Sequence, residues 1–144
     1  MQYIRIYEMP TCKMVSSGKG MFGEGNFPLF EEWFSSHDRS LFPKDFLYWA
    51  GDGVVWLYMY ENGMTVPPEL EIIDFQGGLY AVATDIDQKT DKDRMNTEMD
   101  KFLRANGFER DTSRPELGNI ITSPLAQKIM GYEQMDYYIP IKGR

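Results

Sequence analysis

The chain states one short pattern twice, about 66 residues apart, and this repetition limits the folds open to it more than any other feature. The first copy runs Ile4-Arg5-Ile6-Tyr7-Glu8-Met9, turns at Pro10-Thr11 and resumes as Cys12-Lys13-Met14-Val15. The second runs Leu70-Glu71-Ile72-Ile73-Asp74-Phe75, turns at Gln76-Gly77-Gly78 and resumes as Leu79-Tyr80-Ala81-Val82. Each copy reads as strand, turn and strand, followed by a polar loop and an amphipathic helix. A repeated supersecondary unit implies a pseudo-two-fold domain, and the seam between its halves is a natural position for a ligand pocket. The halves fall at about 1–66 and 67–144 of one domain, long enough to bury a core without staples.

Side-chain periodicity fills in the elements. Strand one covers about residues 2–9, with Tyr3, Arg5 and Tyr7 on one face and Ile4 and Ile6 on the other. Cys12 to Ser16 is expected to return as its partner. Ser17-Gly18-Lys19-Gly20 reads as a flexible loop, because it lacks the Gly-x-x-x-x-Gly-Lys-Ser/Thr spacing of a phosphate cradle. The first helix begins near Asn26, a suitable N-cap, with Pro28 in its first turn, and runs to about Ser36. Phe27, Phe30, Trp33 and Phe34 recur at helical spacing as a buried stripe. Residues 37–53 read as irregular and aromatic (Phe42, Phe46, Tyr48, Trp49), punctuated by Pro43, Gly51 and Gly53. A loop this apolar folds back over something, and a pocket rim is one such role.

Val54 to Tyr60 alternates, with Val55, Leu57 and Met59 on one face and Trp56, Tyr58 and Tyr60 on the other. The aliphatic face suits a helix. The aromatic face suits either a ligand or a half-exposed strand. The second helix spans about Asp91 to Asn106, with Met95, Met99, Phe102 and Leu103 inward and Gly107 as its stop. Residues 117–122 suggest another strand, and Gln134 to Ile141 is the last, with Asp136 and Tyr138 on one face. Pro140 is expected at an edge or strand end. Strand-strand-helix-strand-strand, twice, predicts an α+β domain with a mainly antiparallel sheet, both helices on one face and a ligand cleft between the halves.

Charge and composition close off other classes. A net charge of −7 leaves no basic stripe for phosphates, so direct nucleic-acid binding is not expected, while cationic partners are favoured. A single cysteine, Cys12, precludes an internal disulfide or a CxxC site, and His37, the one histidine, reads as a solvated helix end. A zinc site or a His-based triad is therefore not expected, and no cofactor is. The sequence enters a strand pattern at once, and no apolar run nears the roughly 20 residues that span a bilayer. The expectation is a soluble, cytoplasmic protein without membrane contact. Nine Tyr, nine Phe, three Trp and ten Met suit a well-filled core and equally a permissive pocket.

This order of elements resembles the GyrI-like family, the effector-binding domains of AraC-type and BmrR-type bacterial transcription regulators. The residues that carry the resemblance are Gly78-Leu79-Tyr80-Ala81-Val82, the helix ending in Asn106-Gly107-Phe108, and Asp136-Tyr137-Tyr138-Ile139-Pro140-Ile141-Lys142. The likeness extends from Tyr3 to Lys142. It implies two modules around a cleft that takes amphipathic, often cationic, multidrug-type molecules, with aromatic rings stacking on the ligand and a buried acid answering its charge. Two positions depart from the family pattern. Asp136 stands where the family usually has Glu, and Gly118 and Ile120 stand where a second acid and an aromatic follow Arg114-Pro115, with Glu116 displaced by two residues.

The expected site is then Trp56, Tyr58, Tyr60, Tyr80 and Tyr138 as flat walls, with Asp136 as a desolvated carboxylate selecting a cation. Phe22, Glu24, Trp33, Trp49 and Glu116 are candidates for its rim; Trp33 reads equally as core, and Asp136 as a surface acid. The implied function is a stand-alone small-molecule-binding protein of the effector-binding type, working with a partner chain if it regulates transcription. Two alternatives accompany the resemblance. One is a protein-interaction role like that of the gyrase-inhibitory members. The other is hydrolysis of reactive cyclopropane-bearing compounds, with Asp136, and Glu116 or Glu24, as base toward water.

Overall fold

The computed structural model describes residues 4–37 and 44–144. Tyr3 and the start of strand one, together with Asp38, Phe42 and Pro43, lie outside the described residues. The described strands and helices are β1 (Arg5–Met9), β2 (Cys12–Gly20), α1 (Phe27–His37), β3 (Asp45–Trp49), β4 (Val54–Met59), β5 (Glu71–Phe75), β6 (Gly78–Ile86), α2 (Lys92–Ala105), β7 (Phe108–Arg110), β8 (Leu117–Ile120), α3 (Pro124–Met130) and β9 (Gln134–Gly143). The class is α+β with antiparallel strands, as the order of elements predicts. Tertiary contacts group the chain into two compact units, Pro10–Gly77 and Met1–Met9 with Gly78–Arg144.

Neither copy of the repeated pattern folds back as a hairpin. β1 pairs with β6, Tyr7 opposite Tyr80, and β2 pairs with β5, Met14 opposite Ile73. Each strand thus takes its neighbour from the other copy. The linkers explain why. A two-residue hairpin needs positive φ at its centre, which Pro10-Thr11 does not supply, so β1 and β2 diverge. The Thr11 hydroxyl instead accepts from the Gly77 amide at 3.0 Å, tying the two linkers side by side.

In Pro10–Gly77 the sheet order is β3-β4-β2-β5. Two expectations are corrected here. Ser17-Gly18-Lys19-Gly20 is not a loop but the far end of β2, where the register to β4 slips between Ser16 and Lys19. Gly18, at φ 71°, permits this bulge, and the Ser17 hydroxyl accepts the otherwise orphaned Trp56 amide at 3.0 Å. Residues 45–49 are not irregular either: β3 pairs with β4, Phe46 opposite Leu57, so part of the aromatic stretch is a strand. The α1 helix lays Phe27, Phe30 and Trp33 onto Trp56, Tyr58, Val54 and Val15. It therefore covers the aromatic face of β4, not the aliphatic one. Rings on both elements fill the volume that aliphatic side chains were expected to fill. Asn26, read as the cap of α1, donates its side-chain amide to the Glu69 carbonyl at 3.1 Å.

In the other unit the order is β1-β6-β9-β8, with β7 pairing the end of β9. The α2 helix behaves as its sequence requires. The Asp91 side chain caps the Arg94 amide, Gly107 follows the helix at φ 80°, and Met95, Met99 and Leu103 are buried against Ala81, Ala83, Ile139 and Ile141. Ile4 and Ile6 join that layer, which turns Arg5 and Tyr7 to the opposite face, as alternation predicts. Pro140 is not at an edge: β9 is central and continues to Gly143. A strand residue's N–H and C=O point the same way, and the Pro140 carbonyl accepts from Asp111, away from β6. The missing N–H thus falls between the end of β8 and the start of β7 and costs the β6 ladder nothing. A further short helix, α3, capped by Ser123 and ended by Gly131 at φ 81°, was not foreseen.

Candidate functional site

The expected site residues fall into two groups, one in each unit. Trp56, Tyr58 and Tyr60 lie in Pro10–Gly77 and belong to the layer under α1. The Trp56 ring centre is 4.9 Å from Phe34, 5.2 Å from Phe30 and 6.0 Å from Phe27, and Tyr58 is 5.6 Å from Trp33. Both indoles satisfy their polar tips, Trp56 on the Asp45 carboxylate at 3.1 Å and Trp33 on the Thr65 carbonyl at 2.8 Å. Phe22 covers the Trp56 edge at 5.3 Å and is exposed. Trp49 ends β3 and is also exposed, as is Glu24, whose carbonyl accepts the Phe27 amide where α1 begins.

The second group is built on the face of the other unit's sheet opposite α2. Directly opposed residues share a face, so the ladders Tyr7–Tyr80–Pro140, Arg5–Val82–Tyr138–Leu117 and Thr84–Asp136–Asn119 set three rows across β1, β6, β9 and β8. Tyr80, Asp136 and Tyr138, all foreseen, stand together here. Tyr138 lies 6.1 Å from Tyr80 and 6.5 Å from Tyr7, ring centre to ring centre. Asp136 is only 4% exposed.

Asp136, expected as a desolvated carboxylate or a surface acid, is buried and paired within the chain. The Arg5 guanidinium donates to its Oδ1 at 2.9 Å and to the Thr84 hydroxyl at 2.9 Å, and Thr84 donates to the same carboxylate oxygen. Arg5 also reaches the Tyr7 hydroxyl at 2.9 Å. A buried carboxylate without such partners would carry a large desolvation cost. Burial works against the charge on Arg5, but the neighbouring Asp136 carboxylate more than offsets it and raises the guanidinium's pKa. Burial also pushes the Tyr138 phenol up to about 12, helped by the negative charge of Asp136. Arg5 and Thr84 carry this arrangement, with Asn119 beside Asp136 across the ladder, and none is singled out by the sequence. Alternation along β1, β6 and β8 puts each on this face once the register is known.

Glu116 lies elsewhere. Its carboxylate accepts from Arg110 at 3.3 Å, and Arg110 also binds Asp100 and Asn96 of α2. Gly118, two residues on, sits opposite Tyr137 on the α2 face, so an acid there would not face Asp136. A Cβ at Gly118 would meet the terminal methyl of Met135, a flexible side-chain end that can move aside. A shallow cavity of about 240 Å³ between Arg110, Arg114, Glu116 and Pro140 has its charges already paired, Arg114 with Asp111 and Arg110 with Glu116. Among the described residues no group of three or more His, Cys, Asp or Glu side chains could hold a metal ion, and no helix is long and apolar enough to cross a membrane.

No protein-family model matches the sequence, and none of the curated proteins does. Solved structures do match. The C-terminal domain of EcmrR superposes with a TM-score of 0.65 at 8% identity, over 100% of this chain and 99% of that one. In the EcmrR–DNA complex the TM-score is 0.67 at 7% identity, and this chain, covered over 99% of its length, spans 58% of that EcmrR chain. A hydrolase from Listeria innocua gives 0.67 at 11% identity, covering 96% and 91% of the two chains. SAV2435 bound to tetraphenylphosphonium gives 0.52 at 11% identity, covering 98% and 94%. At such identities the likeness carries the fold alone, and it agrees with the sequence resemblance: this chain has the GyrI-like fold.

Proposed function

We propose that this chain is a binding domain for small amphipathic molecules bearing an aromatic or cationic group, of the effector-binding type, built from two copies of one module. The observation that carries the reading is the buried Asp136 carboxylate, on the same sheet face as the Tyr7, Tyr80 and Tyr138 rings and balanced by one removable cation. Aromatic faces attract cations by about 0.5–2 kcal/mol each, and a desolvated carboxylate adds selectivity over a neutral isostere. Tyr80, Asp136 and Tyr138 form the recognition face in this reading. Trp56, Tyr58 and Trp33 support the α1 layer, with Phe22 as its accessible border. That EcmrR pairs this fold with DNA binding, and that SAV2435 holds tetraphenylphosphonium, supports an effector role.

The test is a thermal-shift series with tetraphenylphosphonium and neutral aromatic compounds of similar size. A ligand at 100 times its Kd adds about 2.7 kcal/mol, a rise of roughly 5–10 °C for a chain of this length. Asp136→Asn is expected to remove the preference for the cation, and Tyr138→Ala to weaken both classes. Shifts unchanged by both substitutions rule the site out.

A further inference from the structure

Arg5 shows what kind of head group the Asp136 subsite accepts. Its planar guanidinium donates from Nη2 to the Asp136 carboxylate and to the Thr84 hydroxyl, both at 2.9 Å, while the ring of Tyr7 lies 5.2 Å beneath it. Across the ladder from Asp136, Asn119 is 3% exposed, and its side-chain oxygen has no hydrogen-bond partner among the described residues. A buried acceptor left unmatched is costly, and it is aimed at the same face as the carboxylate. Two acceptors there, one charged and one neutral, call for a cation that carries several N–H donors in one plane. A donor-less cation such as a phosphonium satisfies the charge and leaves the Asn119 oxygen unmatched.

Arg5 itself can leave. It stands on β1, which ends the sheet order of its unit, and its side chain is 39% exposed while that of Asp136 is 6% exposed. Its guanidinium can rotate into water without opening the layer under α2, which is formed by Ile4 and Ile6 from the other face of β1.

We infer that the Asp136 subsite is specific for planar N–H-donating cations, amidinium or guanidinium groups on an aromatic body, and that Arg5 is its built-in occupant, displaced when such a ligand enters. This rests on the reading proposed above and narrows it to a ligand class. The incoming group takes over the bonds to Asp136 and Thr84, adds one to the Asn119 oxygen, and stacks on the Tyr7 ring where the Arg5 guanidinium lies. Arg5 competes from within the chain, so the protein's own affinity for the ligand is lower than the subsite's.

Calorimetric titration decides this with benzamidinium and trimethylphenylammonium, which share a charge and an aromatic ring and differ in N–H donors. In the unaltered protein benzamidinium is expected to bind at least tenfold tighter. In Arg5→Met, which keeps the stem and removes the competitor, benzamidinium is expected to gain at least a further tenfold, and Arg5→Met/Asp136→Asn to lose that gain. Equal binding of the two cations by the unaltered protein overturns the inference whatever the variants do, and so does an Arg5→Met protein that folds without the gain. If tetraphenylphosphonium binds under either outcome, the broader reading stands and the ligand class alone falls. If no aromatic probe, charged or neutral, binds any form, both fall together.

Discussion

Arg114 offers the sharpest test of how the Gly78–Arg144 unit is held. Its side chain is 4% exposed, and its Nη2 donates to the Leu79 and Ile141 carbonyls, each at 2.8 Å. It thereby joins the start of β6 to the end of β9, while Nε reaches Asp111 at 3.0 Å and the guanidinium covers the Tyr80 ring at 4.7 Å. Arg114→Met keeps most of the length and removes every donor. Two buried charge-assisted bonds at about 1.5–3 kcal/mol each set a gross loss of about 3–6 kcal/mol. Methionine recovers part of this by packing on Tyr80, leaving a net cost of about 2–4 kcal/mol. With a urea m-value of about 2 kcal/mol/M, the midpoint of unfolding should fall by about 1–2 M. Arg110→Met is the control. Its ion pairs to Asp100 and Glu116 face solvent, and their loss should cost under about 1 kcal/mol. Gly78 adds a coupled measurement. At φ 145° an added Cβ would lie 2.7 Å from Arg114 Nη1, so Gly78→Ala should cost more in the unaltered protein than beside Arg114→Met. A urea midpoint for Arg114→Met within 0.3 M of the unaltered protein, on an assay scale where about 1 M is expected, would refute the assignment of those two carbonyls to this guanidinium.

Two further outcomes follow from the buried side chains. Tyr138 is neutral in both states below its ordinary value of 10.0, and its folded pKa of about 12 means that stability is lost as pH rises between them, by about 3 kcal/mol at most. Alkaline unfolding monitored by circular dichroism should therefore soften in Tyr138→Phe between those pH values, and an unchanged profile would show that Tyr138 does not govern it. Trp56→Ala should destabilise by about 3–5 kcal/mol, because it empties the ring cluster under α1 and strips Asp45 of a donor. A loss below about 1 kcal/mol, measured by denaturant titration, would place Trp56 outside the core.

Periodicity reveals which face a residue takes but not which strand lies beside it, and the sequence reading succeeded and failed along that line. The α2 helix was legible end to end, since Asp91, the Met95–Met99–Leu103 stripe and Gly107 are local signals. So was the shared face of Asp136 and Tyr138. The pairing of β1 with β6 was not, because nothing near Arg5 in the chain announces Val82 as its neighbour. Hence the acid was found and its counter-ion missed. β3 was hidden by aromatic density and by the Pro and Gly residues around it, and α3 by its seven-residue length and its lack of any buried residue. Trp56 misled in another way. An all-aromatic strand face implies a flat ligand only if no other rings cover it, and α1 supplies four.

The exchange of strands between the repeated patterns also sets a timetable for synthesis. Ribosomes add about 5–20 residues each second, so β1 emerges and then waits roughly 4–15 s for β6, about 75 positions behind it. Over the same interval β2, β4 and β5, whose mutual pairings all lie within Pro10–Gly77, are complete before β6 emerges. A nascent chain therefore carries an unmatched apolar ribbon, Ile4 and Ile6 included, until β6 arrives, and a holdase chaperone has a clear target there.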